Sequence, residues 1–163
     1  MTKNEEYFMT DENSIDTKIF DDVLHPPLII SGTVIKGMGR GRIIGFPTAN
    51  LVPNAEQAFM ERGVFYTRIT IDGKIHDAIT NIGVNPTFGY SQLIVESHIF
   101  NFSDDILGKE IKIELVRFIR NEIKFASVNE LISQINNDIE QVHTDNKAGS
   151  CPEASKLSIG TKA

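Results

Sequence analysis

The segment Gly37-Met-Gly-Arg-Gly-Arg-Ile-Ile-Gly-Phe-Pro-Thr-Ala-Asn50 concentrates residues suited to phosphate chemistry. Gly37, Gly39, Gly41 and Gly45 fall within nine residues. That density lets the backbone take positive φ and lets a ligand approach the main chain closely. N–H groups freed in such a loop can converge on an anion and form a phosphate nest. Arg40 and Arg42 add positive charge beside it. Thr48 and Asn50 stand two apart, so an extended strand turns both to one side. Their oxygens are hard ligands of the kind Mg²⁺ accepts beside substrate phosphates. Further on, Glu96 sits among apolar residues in Val95-Glu-Ser-His-Ile99, where a carboxylate is costly without a partner or a task. His98 shares its face.

Each feature also has a plain structural explanation. A glycine-rich loop turns the chain. Thr and Asn next to a proline make local side-chain turn bonds. A strand glutamate is usually solvated, and a lone histidine is usually a packing or surface residue. The glycine pattern is not a Walker loop, because no Gly-Lys-Ser/Thr follows at the required spacing. It is not a dinucleotide fingerprint, because Pro47 stands where that helix would run. On spacing alone, phosphate binding and a simple turn both remain open.

Short strands must carry these residues. β-Branched and apolar content predicts strands at 28–36, 48–51, 63–71, 74–82, 93–100 and 110–119. Asp72-Gly73 is a strong two-residue hairpin signal. Residues 53–62 read as a loop with a helical turn at 55–60, and 83–92 as a loop holding Asn85-Pro-Thr. Ser127-Val-Asn-Glu130 is a capping box. Val128, Leu131, Ile132, Ile135, Ile139 and Val142 then mark one helical stripe ending near His143. Six strands and one C-terminal amphipathic helix predict a mainly β fold, a small closed antiparallel barrel packed against a helix.

The 163-residue length suits one domain with one core. Residues 1–27 read as an acidic mobile tail, with a short helix near its end and a stop at Pro26-Pro27. Residues 28–143 read as the folded domain and 144–163 as a second mobile tail. No apolar run approaches a membrane span. The single cysteine, Cys151, leaves no internal disulfide, which fits a reducing cytoplasm. A net charge of −6 speaks against non-specific nucleic-acid binding. A few local arginines still suffice for a nucleotide.

The order of motifs carries a resemblance. Gly32-Thr-Val-Ile-Lys-Gly37, Gly39-Arg-Gly and Gly45-Phe-Pro-Thr-Ala-Asn-Leu51 resemble the signature of riboflavin kinase. Asn81-Ile-Gly-Val-Asn-Pro-Thr-Phe88, Val95-Glu-Ser-His-Ile99 and Ile119-Arg-Asn-Glu-Ile-Lys-Phe125 follow in the family's order. The similarity spans about residues 30–142. It implies a six-stranded Greek-key barrel and transfer of the ATP γ-phosphoryl to riboflavin, giving FMN. By resemblance, Glu96 matches the catalytic base, and Thr48 and Asn50 match the pair that holds metal and nucleotide phosphates. Gly37, Gly39, Arg40, Gly41, Arg42, Thr48 and Asn81 fall on the ATP side. Arg120, Glu122 and Phe125 match a segment closing over the flavin, with His98 near it. Mg²⁺ is the implied metal, with Mn²⁺ or Zn²⁺ as alternatives. The expected partners are riboflavin and ATP, for a monomer with no nucleic acid and no membrane. Related kinase modules often follow an FAD-making nucleotidyltransferase domain. This length leaves no room for one, so FMN is the expected only flavin product. Two departures stand out. Phe65 replaces a common tyrosine, and Leu107 replaces another before Gly108.

Two rival readings differ in class. One is a catalytically silent flavin- or nucleotide-binding regulatory module, against which the intact Thr48, Asn50 and Glu96 argue. The other is a barrel for single-stranded nucleic acid. Such a barrel wants a basic groove with stacking aromatics, and this chain is acidic and has no Trp.

Overall fold

Asp72 and Gly73 take φ values of 48° and 78°, the left-handed pair that a tight hairpin turn needs. Around them β3 (Gly63–Ile71) and β4 (Lys74–Thr87) pair antiparallel, from Ile71↔Lys74 out to Gly63↔Ile82. The computed structural model describes residues 28–53, 61–87 and 90–147, with the side chains of 85–87 and 90–92 set aside. The sequence readings at 1–27, 55–60 and 148–163 lie outside the described residues.

β4 does not stop at Ile82. It runs on to Thr87 and pairs with β5 (Tyr90–Ile99) from Thr87↔Tyr90 to Ala78↔Ile99. The expected loop at 83–92 is therefore the end of a long hairpin. Val84, Leu93 and Ile94 favour strand. The cross-strand ladder overrides the turn preference of Asn85, and Pro86 is tolerated near a strand end.

β1 (Ile29–Thr33), β2 (Ala49–Leu51) and β6 (Glu110–Arg120) complete a six-stranded antiparallel sheet of order β1-β6-β3-β4-β5-β2. The run β6-β3-β4-β5 is a Greek key, in which the fourth strand returns beside the first. Among the described residues the two end strands meet through one bridge. The N–H of Ile35, just past β1, donates to the carbonyl of Asn50 in β2 at 2.8 Å. That contact brings the sheet to a nearly closed barrel.

Alternation along each strand sends Ile30, Leu51, Ile69, Ile82, Val95 and Ile113 into the barrel, where they are fully buried. Phe65 joins them, edge-on to Phe118 at 5.3 Å. The inward ring without a hydroxyl leaves no polar group to be satisfied there. Leu107 is exposed beside the turn at Gly108. Thr67, Thr80 and Ser97 form a buried hydroxyl row across β3, β4 and β5, at 2.7 and 2.8 Å. Each thereby satisfies a polar group that would be costly alone.

The helix α2 (Val128–Lys147) packs on the outer wall. Its Ile135, Ile139 and Val142 meet Val64, Tyr66, Ile79 and Phe100. Ser127 caps it as expected, its Oγ accepting from the N–H of Glu130 at 3.2 Å, while Glu130 reaches back to the N–H of Ala126. The helix outruns the expected end at His143 by four residues. Its last turn is anchored, with Asp145 paired to Arg117 at 2.7 Å and Asn146 donating to the Tyr66 hydroxyl at 3.3 Å.

Candidate functional site

Register places Asn50 of β2 opposite Glu96 of β5, and Glu96 opposite Asn81 of β4. Residues directly opposite share a face of the sheet. Val95, Ser97, Ala49, Leu51 and Ile82 are buried, so this face is the outer one. Three adjacent strands thus present an Asn-Glu-Asn row on the barrel wall, beside the area covered by α2.

The glycine segment lies over one end of that row. Asn50 is on the outer wall yet only 6% exposed, because the chain at Gly37 crosses it. A Cβ at Gly37 would run into the Asn50 amide. At Gly41 a Cβ would strike the carbonyl of Phe46, and Phe46 N–H donates back to Gly41 at 2.8 Å. Glycine at these two places allows close approach of chain to chain. One helical turn, α1 (Arg40–Ile43), follows Gly39 at φ 71°. It was not expected, since four residues show no periodicity. Arg40 and Arg42 are exposed on it.

Asn50 Nδ2 donates to the carbonyl and the hydroxyl of Thr48, at 3.2 and 3.3 Å. Both bonds use the amide nitrogen, so the Asn50 carbonyl oxygen keeps its capacity as an acceptor. Thr48 and Asn50 carry neutral hard oxygens, a donor type that fits Mg²⁺. Among the described residues there is no cluster of three or more His, Cys, Asp or Glu.

Glu96 itself is exposed as a residue. Burial by its surroundings nonetheless pushes its carboxyl above the usual carboxylate pKa, and the charge of Arg40 acts in the opposite sense. The positive charge of the glycine segment is therefore felt at Glu96. His98 Nδ1 donates to the carbonyl of Pro47 at 2.9 Å, and its ring meets Phe46 edge-on at 5.4 Å. In this state His98 holds the Phe46-Pro47-Thr48 backbone against β5.

Residues 121–127 lie on the other side. Glu122 extends over Gly83, where its carboxylate comes against the backbone near the Asn81 amide. Arg120 is held by Asp138 of α2 in a forked pair at 2.8–3.0 Å. It also donates to the carbonyl of Asn121 at 3.1 Å and lies 5.9 Å from the Phe125 ring centre. Thr48, Asn50, Asn81, Glu96, the glycine segment and Glu122 thus come together. Arg120, Phe125 and His98 are engaged with protein partners at its margins.

Sequence reasoning missed Asp138. It is 2% exposed and also accepts from Gln134 at 2.9 Å. The signal was present, because 131, 135, 138 and 142 keep helical spacing and Asp138 interrupts an apolar stripe.

The family model for riboflavin kinase matches residues 24–145. The chain is 36% identical to a bifunctional riboflavin kinase/FMN adenylyltransferase of Bacillus subtilis, over 83% of this chain and 44% of that protein. It is 43% identical to the trifunctional protein RibF/MnmA of Mycoplasmoides gallisepticum, over 71% of this chain and 18% of that protein. An RNA-binding riboflavin kinase, RibR of Bacillus subtilis, is 39% identical over 70% of this chain and 49% of that one. The chain spans less than half the length of these relatives. Among solved structures, one titled as a macrolide-efflux protein from Streptococcus pneumoniae matches with TM-score 0.66 and 36% identity, covering 72% of this chain and 38% of that one. The riboflavin kinase of Trypanosoma brucei shares the fold with TM-score 0.52 at 22% identity, over 71% of this chain and 77% of that one.

Proposed function

This chain belongs to the riboflavin kinase family, and from that premise we propose that it transfers the γ-phosphoryl of ATP to the ribityl 5′-hydroxyl of riboflavin. The observation that carries this reading is the Asn50–Glu96–Asn81 row beneath a close-packed glycine segment.

Phosphoryl transfer leaves little covalent chemistry to the protein, so positioning and charge dominate. The backbone of 37–41, with Arg40 and Arg42, receives the nucleotide phosphates, and Asn81 bounds that side. Thr48 and Asn50 would hold the metal, and Mg²⁺ would supply neutralisation of phosphate charge. Glu96 takes the proton of the 5′-hydroxyl as it attacks phosphorus. The raised pKa of this carboxyl makes it a better proton acceptor once ionised. Glu122 and Phe125, on the segment that Arg120 secures, bound the flavin side and keep water from competing as acceptor. His98 fixes the Pro47-Thr48 backbone at the margin of the flavin side.

We further propose that the chain stops at FMN, without adenylyl transfer, and that it works as a cytoplasmic monomer without nucleic acid. The net charge of −6 supports the last point. Among the described residues no helix is long and apolar enough to cross a membrane. The test is incubation with riboflavin, ATP and Mg²⁺ followed by separation of the flavins. FMN is the expected product. Unchanged riboflavin with demonstrable binding would point to a silent binding module instead.

A further inference from the structure

Asp138 is the most buried carboxylate among the described residues with a charged partner, and the phosphoryl-transfer scheme does not use it. It lies on the core-facing side of α2, where a carboxylate has no packing value. Its hydrogen bonds come from two side chains. Both oxygens accept from Arg120, and Oδ1 also accepts from Gln134. A forked guanidinium–carboxylate pair fixes the plane of the arginine as well as its position.

The guanidinium so fixed has its remaining contacts on the segment that follows β6. Arg120 Nη1 donates to the carbonyl of Asn121, and Phe125 stacks near its face at 5.9 Å. Between those two points lies Glu122, set over Gly83 next to Asn81. Asn81 stands opposite Glu96. The segment that Arg120 contacts at both ends thus carries Glu122 to Gly83 and Asn81, next in register to Glu96.

We propose that Asp138 is a positioning residue for phosphoryl transfer: through Arg120 it sets the 121–127 segment at the flavin side of the Asn50–Glu96–Asn81 row. This rests on the kinase reading above. It extends that reading to a residue that touches no substrate.

The test uses the full chain and Asp138→Asn, which keeps shape and removes the charge that locks the fork. Misplacement of a positioning group away from the chemistry costs up to about 10²-fold. We expect KM for riboflavin to rise about tenfold or more, with KM for Mg·ATP and kcat each within about threefold. A second readout does not depend on activity. Trypsin cleavage after Lys124, within the segment and exposed, should accelerate at least about tenfold in folded protein as local opening becomes easier. A residue needed only for folding would lower the active fraction, and so apparent kcat, leave both KM values unchanged, and speed cleavage at Lys124 no more than at other exposed sites. That outcome overturns the proposal. If Asp138→Asn does not fold, Gln134→Met carries the test, since it removes only the Gln134 bond to Asp138. About threefold faster cleavage at Lys124 is then expected, and a wild-type rate refutes the idea. If wild type makes no FMN, the kinase reading fails while the cleavage comparison still reports on Asp138.

Discussion

Glu96→Gln separates catalysis from structure more cleanly than any other change to the row. Glutamine keeps the size, the outward direction and the place between Asn50 and Asn81, but cannot take a proton. Loss of a positioned base costs ~10²–10⁴-fold in rate. A loose phosphoryl-transfer transition state asks less of a base, so the lower half of that span applies, about 3–4 kcal/mol at 1.4 kcal/mol per decade. Riboflavin and Mg·ATP should still bind, because the glycine segment and residues 121–127 are untouched. The raised pKa adds a second signature. A carboxyl whose pKa is higher folded than unfolded stabilises the fold below its unfolded pKa, and that contribution is lost as pH rises through the folded pKa. At neutral pH the ionised Glu96 is therefore a stability cost, and Glu96→Gln should raise Tm there. The gain should vanish in acid, where Glu96 is protonated too. The wild-type acid limb of kcat/KM should likewise fall above the ordinary carboxylate range. The assay is kcat at saturating substrates, with riboflavin affinity from fluorescence quenching. A kcat within threefold of wild type would refute the role of Glu96 as base.

Thr48→Ala removes the hydroxyl that accepts from the Asn50 amide; turnover and Mg·ATP affinity should fall together, and wild-type rates at limiting Mg²⁺ would dismiss the metal seat. Gly41→Ala forces a methyl against the Phe46 carbonyl, so activity should fall with little change in the helix signal by circular dichroism; retained activity with both substrates would show that the loop adapts. A chain ended after His143 loses the Arg117–Asp145 and Tyr66–Asn146 contacts, and chemical denaturation should register a loss of about 1–2 kcal/mol. With FMN and ATP supplied to the purified chain, chromatography should detect no FAD, and its appearance would disprove restriction to the kinase step.

Local chemistry made parts of this fold readable. Asp72-Gly73 turns where two left-handed residues are needed, Ser127 and Glu130 share out the first helical donors, and Ile111 and Ile113 alternate into the core. Asn85 and Pro86 misled, because turn preference is local and the β4–β5 ladder is not. The single turn α1 has too few residues for any period to appear. At the site, the glycines and Thr48-Ala-Asn50 were legible as a set. Their meeting with Asn81 and Glu96 depends on strand order, which alternation does not encode. The resemblance supplied that order. Arg120 matches the flavin-closing segment by resemblance; that its fork is held by Asp138 takes the packed helix to see.

Among the described residues the barrel closes at Asn50 through a single bridge to Ile35, and that seam has a thermal consequence. Every other strand boundary is a ladder, so fraying of the wall should begin where β1 and β2 part. The amide of Ile35 should exchange its hydrogen earlier than those of β3 or β4. Asn50 supplies both the bridging carbonyl and the side chain proposed for the metal, so occupancy of that seat and closure of the seam draw on the same residue. Added Mg·ATP should then slow exchange at Ile35 more than at the strands of the Greek key, and the barrel should be most rigid when loaded.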